Sequence, residues 1–268
     1  MKRSHALAIV SALLLLTCAG LFFTAVQKVR QASARMQCHG NFKGLACSLH
    51  SYAAAHDDAL PTGTIPNAHL PPEQRLSWLV SLLPFIEQDR VFKQFDLTRG
   101  PGDARNQEAT NNRFRYFVCA SSSEHVYFNR VEKWNSSAPL THYVGVAGVG
   151  GDAATLEVDH TRAGAFGYDR RTSLKKGFPD GTSNTLLIIE TANNPGHWAY
   201  GGTATVRALE PGASPYIGPD RPFGGWHSRI SVVALADGSV RTFLDTTDPA
   251  ILEAFATVAG KEELPANW

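Results

Sequence analysis

The stretch FGGWHSRISVVALADGSVRTFL, Phe223 to Leu244, sets His227 ahead of the pair Asp237-Gly238 with nine residues between. A histidine and a carboxylate are parts of a general-base pair, which would need a nucleophile within hydrogen-bond reach. No G-x-S-x-G pentapeptide occurs to hold a serine on a strained turn. Ser228 adjoins His227, but neighbours on a strand point to opposite faces and cannot easily share a proton. The spacing also places His227 and Asp237 near opposite ends of one strand, too far apart for direct proton transfer. Asp237-Gly238 reads instead as a hairpin turn, since such a turn needs residues that tolerate positive φ and the Asp carboxylate can bond nearby amides. No catalytic residue is expected.

Other chemistry-bearing residues give equally plain readings. Gly148-Val149-Gly150-Gly151-Asp152-Ala153 fits a loose dinucleotide pattern, but TLEVDHTRAG follows where a helix would have to present its N-terminus, so a turned connection is expected. The ten histidines include no H-E-x-x-H, and the four cysteines include no C-x-x-C. His56-Asp57-Asp58 and Asp180-Gly181-Thr182-Ser183-Asn184 lack the ligand alternation of a calcium loop and read as polar turns. Neither a metal nor a cofactor is expected. Trp78, Trp134, Trp198 and Trp226 could stack on sugars, although large aromatics more often fill cores.

The elements that would position these residues begin with ALAIVSALLLLTCAGLFFTAV, Ala6 to Val26, which carries no charged side chain. About 20 apolar residues span a hydrocarbon core of roughly 30 Å, so this run reads as a transmembrane helix. Lys2 and Arg3 favour a cytoplasmic N-terminus, with Lys28, Arg30 and Arg35 on the other flank. The run is longer than the apolar region of a cleaved secretory peptide, and it continues past Cys18, which argues against a lipoprotein signal. Cys38, Cys47 and Cys119 would then lie in a compartment that permits disulfides, and three thiols allow at most one bridge. Lys and Arg number 25 against 24 Asp and Glu, so no basic field makes nucleic acid a partner.

Helical character continues beyond the span, with Val29, Ala32 and Met36, then Leu45, Leu49, Tyr52 and Ala53, as one apolar stripe that Gly40 and Gly44 interrupt. It should stop before Leu60-Pro61. Ser77 to Leu97 reads as helical pieces broken at Pro84, Arg99 to Asn112 as an exposed loop, and Phe114 to Cys119 as a strand. Further strands are expected from Thr141, at Asn184 to Glu190, at Ser228 to Ala236 and at Val240 to Leu244. Asp248 and Pro249 open a helix that Gly260 should end.

Several of these segments in order resemble one family. RQASARMQCHGNFKGLACSLHSYAAAH, LPPEQRLSWLVSLLPFIEQDRVFKQFDL, FVCASSS, THYVGVAG, GAFGYDRRTSLKKGFPDGTSNTLLIIE and the His227-x9-Asp237-Gly238 ending are similar to the bacterial pilin-like family known as domain of unknown function 1559. The resemblance implies an α+β fold in which a long N-terminal helix, half in the membrane, packs its second half on a small antiparallel sheet. It marks Asp180-Gly181 and His227, Asp237 and Gly238 as structural motifs, and it pairs Cys38 with Cys119 as a disulfide. Family members typically carry a prepilin signal with a glycine and a glutamate. RSHALAIVSALLLL has neither, so an uncleaved anchoring helix is expected.

The expected organisation is an anchor at residues 1–27 and an extracytoplasmic pilin-like domain at 28–268. The expected role is that of a non-enzymatic, single-pass protein of the cytoplasmic membrane, in assembly or surface interaction with other pilin-like or envelope proteins. The alternative is an anchored module for a carbohydrate or other solute, which a cleft lined by Trp198, Tyr200 and Trp226 would favour. A hydrolase would require a buried nucleophile beside His227.

Overall fold

The computed structural model describes residues 2–122 and 139–262, without the side chains of 2–4, 6–10 and 12. One helix, α1 (Lys2–Ala55), runs for 54 residues and about 80 Å. Its two parts face different surroundings. Leu13, Leu14, Leu15, Leu16, Leu21, Phe22 and Phe23 are all exposed. From Cys38 onward the helix buries one stripe, Cys38, Phe42, Leu45, Ala46, Leu49 and Ala53, at the three- and four-residue spacing of a single helical face. The stripe therefore starts later than the sequence pattern implies: Val29 and Met36 lie on the undocked part and are exposed.

Gly40 and Gly44 do not break α1, because both face outward and docking of the opposite face offsets their weak helix propensity. The helix ends where Asp57 and Asp58 turn left-handed, and the Asp58 amide donates back to the Ala53 carbonyl at 2.8 Å.

Among the described residues seven strands follow: β1 (Leu140–Thr141), β2 (Tyr143–Val149), β3 (Leu186–Glu190), β4 (Gly196–His197), β5 (Val206–Leu209), β6 (Ile230–Leu235) and β7 (Val240–Leu244). Five form one sheet in the order β5-β2-β3-β6-β7. The fold is α+β, with one departure from an all-antiparallel sheet. Residues 191–205 carry the chain across β2, so β5 pairs parallel to it, with Gly145 opposite Val206.

Both faces of the sheet are covered, which explains why Leu186–Glu190 reads as a continuous apolar run rather than an alternating one. Tyr143, Ala147, Val232 and Ala234 pack toward α1, together with α2 (Trp78–Leu82). Val144, Val146, Val233 and Leu235 pack with Leu252 and Phe255 of the C-terminal helix (Pro249–Ala256). Asp248 caps that helix by accepting from the Ala250 amide at 2.9 Å. It ends at Ala256 rather than Gly260, because Thr257 is extended and its hydroxyl approaches Glu262.

Two loop readings change. Phe114 to Cys119 is not a strand: Arg115–Phe117 forms a tight helical turn that sets Phe114 and Phe117 against the Trp198 ring, at 5.1 and 5.6 Å. The polar 99–112 stretch is not a free loop either. Asn106 is fully buried at its centre, donates to the carbonyls of Asp96, Arg99 and Gly100, and accepts from the Asp96 amide.

A methyl group at Gly44 would meet no atom within 4 Å. Gly44→Ala should therefore stabilise the protein by about 0.5–1 kcal/mol. Thermal unfolding of the full-length chain in detergent, followed by circular dichroism, reads this as a raised midpoint.

Candidate functional site

The hairpin is present, with a different turn from the two-residue one that Asp-Gly suggests. Ala234 pairs with Val240, the Leu235 amide donates to the Ser239 carbonyl, and the Gly238 amide donates to the Leu235 carbonyl, both at 2.9 Å. Only Gly238 is left-handed, at φ 78°, so this is a three-residue loop closed by a glycine bulge. The Asp237 carboxylate accepts from the Ser239 amide at 2.8 Å.

Other elements fasten the same turn. The Thr182 and Thr185 carbonyls accept from the Asp237 and Ala236 amides, so the loop that follows Asp180-Gly181 packs against the hairpin. From α1, Lys43 Nζ donates to the Gly238 carbonyl at 2.8 Å and His50 Nε2 lies 3.0 Å from the Ala236 carbonyl. Gly181 is left-handed at φ 96°, and the Asp180 carboxylate accepts from the Lys261 amide. Asp180, Gly181, Asp237 and Gly238 thus hold the fold together.

His227 lies at the other end of β6, in the lead-in that left-handed Arg229 turns into the strand. Its imidazole is buried among residues from three distant segments. Nε2 lies 3.4 Å from Cys119 Sγ and 3.8 Å from Glu190 Oε1, while Nδ1 lies 3.3 Å from Ser121 Oγ. Cys119 Sγ is in turn 2.9 Å from Cys38 Sγ. Cys38 is the first buried residue of α1 among the described side chains, Cys119 follows the Arg115–Phe117 turn, and Glu190 is the last residue of β3. The Cys119 backbone is fixed by its amide, which donates to His142 Nδ1 at 2.9 Å. The cysteines that the resemblance pairs as a disulfide are therefore side by side, with their sulfurs 2.9 Å apart.

One electrostatic feature dominates. Glu190 is fully buried, and its carboxylate oxygens make no close hydrogen bond, only longer contacts with the Cys119 thiol and the Val232 amide. Burial pushes its pKa up to about 7, against the opposing pull of the His227 charge. The two sulfurs behave as a pair. The hydrogen bond from Cys119 holds the Cys38 thiol well below its ordinary range, whereas burial pushes Cys119 up. For His227, burial alone would lower the pKa, but contact with Cys38 and the Glu190 charge outweigh it and the net shift is upward.

Soft thiolates, an imidazole and a carboxylate can together hold a metal ion, and the ligand atoms of Cys38, Cys119, Glu190 and His227 lie within 4.8 Å of one another. The two thiols could also be oxidised to a disulfide. Cys119 is the buried nucleophile beside His227 that a hydrolase would require, and sequence spacing missed it. It is fully buried, however, and none of the four residues lines the 680 Å³ cleft beside Tyr200 or the 510 Å³ cleft beside Arg207.

The remaining candidates fall elsewhere. Trp198 is in the core with its indole N–H on the Asn112 carbonyl, Trp226 stacks on His142 and donates to the Thr191 carbonyl, and Tyr200 borders a separate cleft. No shared aromatic cleft forms from these three. Trp78 is also core, and Trp134 lies outside the described residues. Asp58 pairs with Lys175 at 2.6 Å. Gly148 and Gly150 make the expected turned connection, both left-handed, with Arg162 closing it onto Asp152 at 2.6 Å.

Residues 27–214 match the family model described as Protein of unknown function (DUF1559). The chain belongs to this family. No curated protein and no solved structure matches the chain. The DUF1559 match includes Cys38, Cys119 and Glu190 and ends before His227 and the hairpin.

The two halves of the turn motif should differ in their cost. Gly238→Ala forces a non-glycine residue to φ 78° and should destabilise the chain by about 1–2 kcal/mol. Asp237→Ala, which loses one hydrogen bond, should cost about 1 kcal/mol. Urea unfolding followed by tryptophan fluorescence measures both.

Proposed function

We propose that this protein is a non-enzymatic, single-pass anchored, pilin-like protein of the cell envelope, whose extracytoplasmic domain serves in assembly or surface interaction. The observation that carries this reading is the double use of α1. The helix is long and apolar enough to cross a membrane, and its last turns are part of the core of the folded domain. With the span ending at Val26, about 18 Å of helix separates the membrane from Cys38. Lys28, Arg30 and Arg35 lie on that stalk. Cationic side chains there can reach the lipid headgroups, and the leading Lys2-Arg3 favours a cytoplasmic N-terminus.

A rigid connection suits a subunit whose domain must be presented at a set height and orientation. The absence of an enzymatic role is argued from the burial of the Cys119–His227 pair, which is sealed from both described clefts. The solute-binding alternative has less support, since Trp198, Tyr200 and Trp226 do not line one cleft.

The full-length chain should remain in the membrane fraction after alkaline carbonate washing, while a chain lacking residues 1–27 should be soluble. The intact mass of the purified protein should equal that of the unprocessed sequence. Crosslinking in cells should capture the domain next to other envelope proteins. Recovery only as an isolated monomer would contradict a role in assembly, and a shortened N-terminus would contradict anchoring by an uncleaved helix.

A further inference from the structure

Cys38, Cys119, Glu190 and His227 come from four segments of the chain and meet where α1 enters the core. All four are buried. Their surroundings are those of a built site. The Ala120 amide donates to Cys38 Sγ at 3.2 Å and the Ser121 amide donates to Cys119 Sγ at 3.4 Å, which favours thiolates. Ser121 Oγ engages His227 Nδ1 and leaves Nε2 facing the sulfurs, the outer contact that orients a ligating imidazole. The decisive observation is the convergence of four ligand atoms within 4.8 Å of one another around Glu190, a fully buried carboxylate that makes no close hydrogen bond and has only longer contacts with the Cys119 thiol and the Val232 amide.

We propose that these four side chains form a binding site for one zinc-class dication that fastens α1 to the sheet. The donor set selects the metal: two sulfurs, one imidazole and one carboxylate suit a borderline-soft tetrahedral ion and do not suit magnesium or calcium, which take oxygen ligands. Bonds of about 2.0–2.3 Å imply ligand separations of about 3.3–3.8 Å around a tetrahedron. The sulfurs, now 2.9 Å apart, would open by somewhat less than 1 Å, and the wider pairs would close from at most 4.8 Å. Binding displaces to solvent every proton carried by the two sulfurs, the Glu190 carboxyl and the ligating His227 nitrogen, and no electron moves. A Cys38–Cys119 disulfide would neutralise the sulfurs but leave the buried Glu190 carboxylate with only the longer contacts to His227 and the Val232 amide; a dication engages all four groups at once.

The test uses the full-length protein purified in detergent with reductant, stripped of metal and titrated with cobalt(II) and zinc(II). The expected result is one ion per chain, with thiolate-to-cobalt charge-transfer absorption that zinc abolishes. Glu190→Gln, which preserves shape, should weaken binding tenfold or more, whereas Cys47→Ser should leave it unchanged. Should Glu190→Gln fail to fold by circular dichroism, the titration of the parent chain decides alone. Absence of the absorption in reduced, folded parent protein overturns the proposal. So does recovery of Cys38 and Cys119 as a disulfide from cells acid-quenched and alkylated before lysis. Neither readout depends on whether the chain assembles with partners.

Discussion

Phe42, Leu45, Ala46, Leu49 and Ala53 of α1 are all buried against the domain, and the same helix carries the exposed Leu13 to Phe23 surface some turns earlier. This docking is the constraint on which the rest of the structure depends. Each large apolar side chain so buried contributes about 1.5–3 kcal/mol, and without the helix one face of the central strands would meet water. Tyr143 illustrates the dependence: its ring meets Phe42 edge-on at 4.6 Å, and its hydroxyl donates to the Val118 carbonyl at 3.1 Å. One side chain of β2 thereby joins the helix to the turn that presents Cys119. Because the helix is continuous, any force on the domain passes into its exposed apolar part without a flexible linker.

The same core shows how this protein treats a buried charge when it is satisfied. Arg170 is buried, and its guanidinium donates to the carbonyls of Ala147, Ala153, Leu156 and Phe166, which together fix the 147–170 segment. Burial lowers its pKa to about 10. Four backbone acceptors offset much of the several kcal/mol that an unsolvated charge would cost. Glu190, buried more completely, has no comparable set of donors. Its nearest charged group is His227, at 3.8 Å, and the geometry between them is too long for a hydrogen bond. Four acceptors meet the two terminal nitrogens of Arg170, whereas no close donor meets Glu190, which places a different demand on that corner.

Much of the fold was legible because local patterns and burial agree. The helical stripe at Leu45, Leu49 and Ala53, the apolar run ending at Glu190 and the Asp248-Pro249 helix start each follow from short-range spacing. What spacing could not reveal was the convergence of groups distant in sequence. Cys38 and Cys119 are 81 residues apart and Cys119 and His227 are 108 apart, so no ligand motif with local spacing exists to be read. One signal was available: Glu190 is a carboxylate ending an otherwise apolar, two-sidedly buried strand, where a charge needs a partner. The turn at Asp237-Gly238 was legible in location but not in type, because contacts from Lys43, His50 and Thr182 hold a three-residue loop that dipeptide preference alone does not specify.

The spacing of the His227-x9-Asp237-Gly238 stretch has a physical reading that neither residue provides alone. The β6 strand is joined to α1 at both of its ends. Before the strand, His227 meets Cys119, which contacts Cys38; after it, Gly238 and Ala236 are held by Lys43 and His50. Ile230–Leu235 advances about 17 Å at roughly 3.3 Å per residue, and Cys38 to His50 advances about 18 Å at 1.5 Å per residue. The strand and the docked stretch of helix are thus of similar length, and the fastenings lie in the lead-in before the strand and in the turn after it. Inserting or deleting one residue in β6 would turn its core-facing Val232 and Ala234 to the opposite face and remove one of the two fastenings. His227 and the Asp237-Gly238 turn therefore lie at the two ends of the contact between α1 and the sheet, and serve one structure from opposite ends.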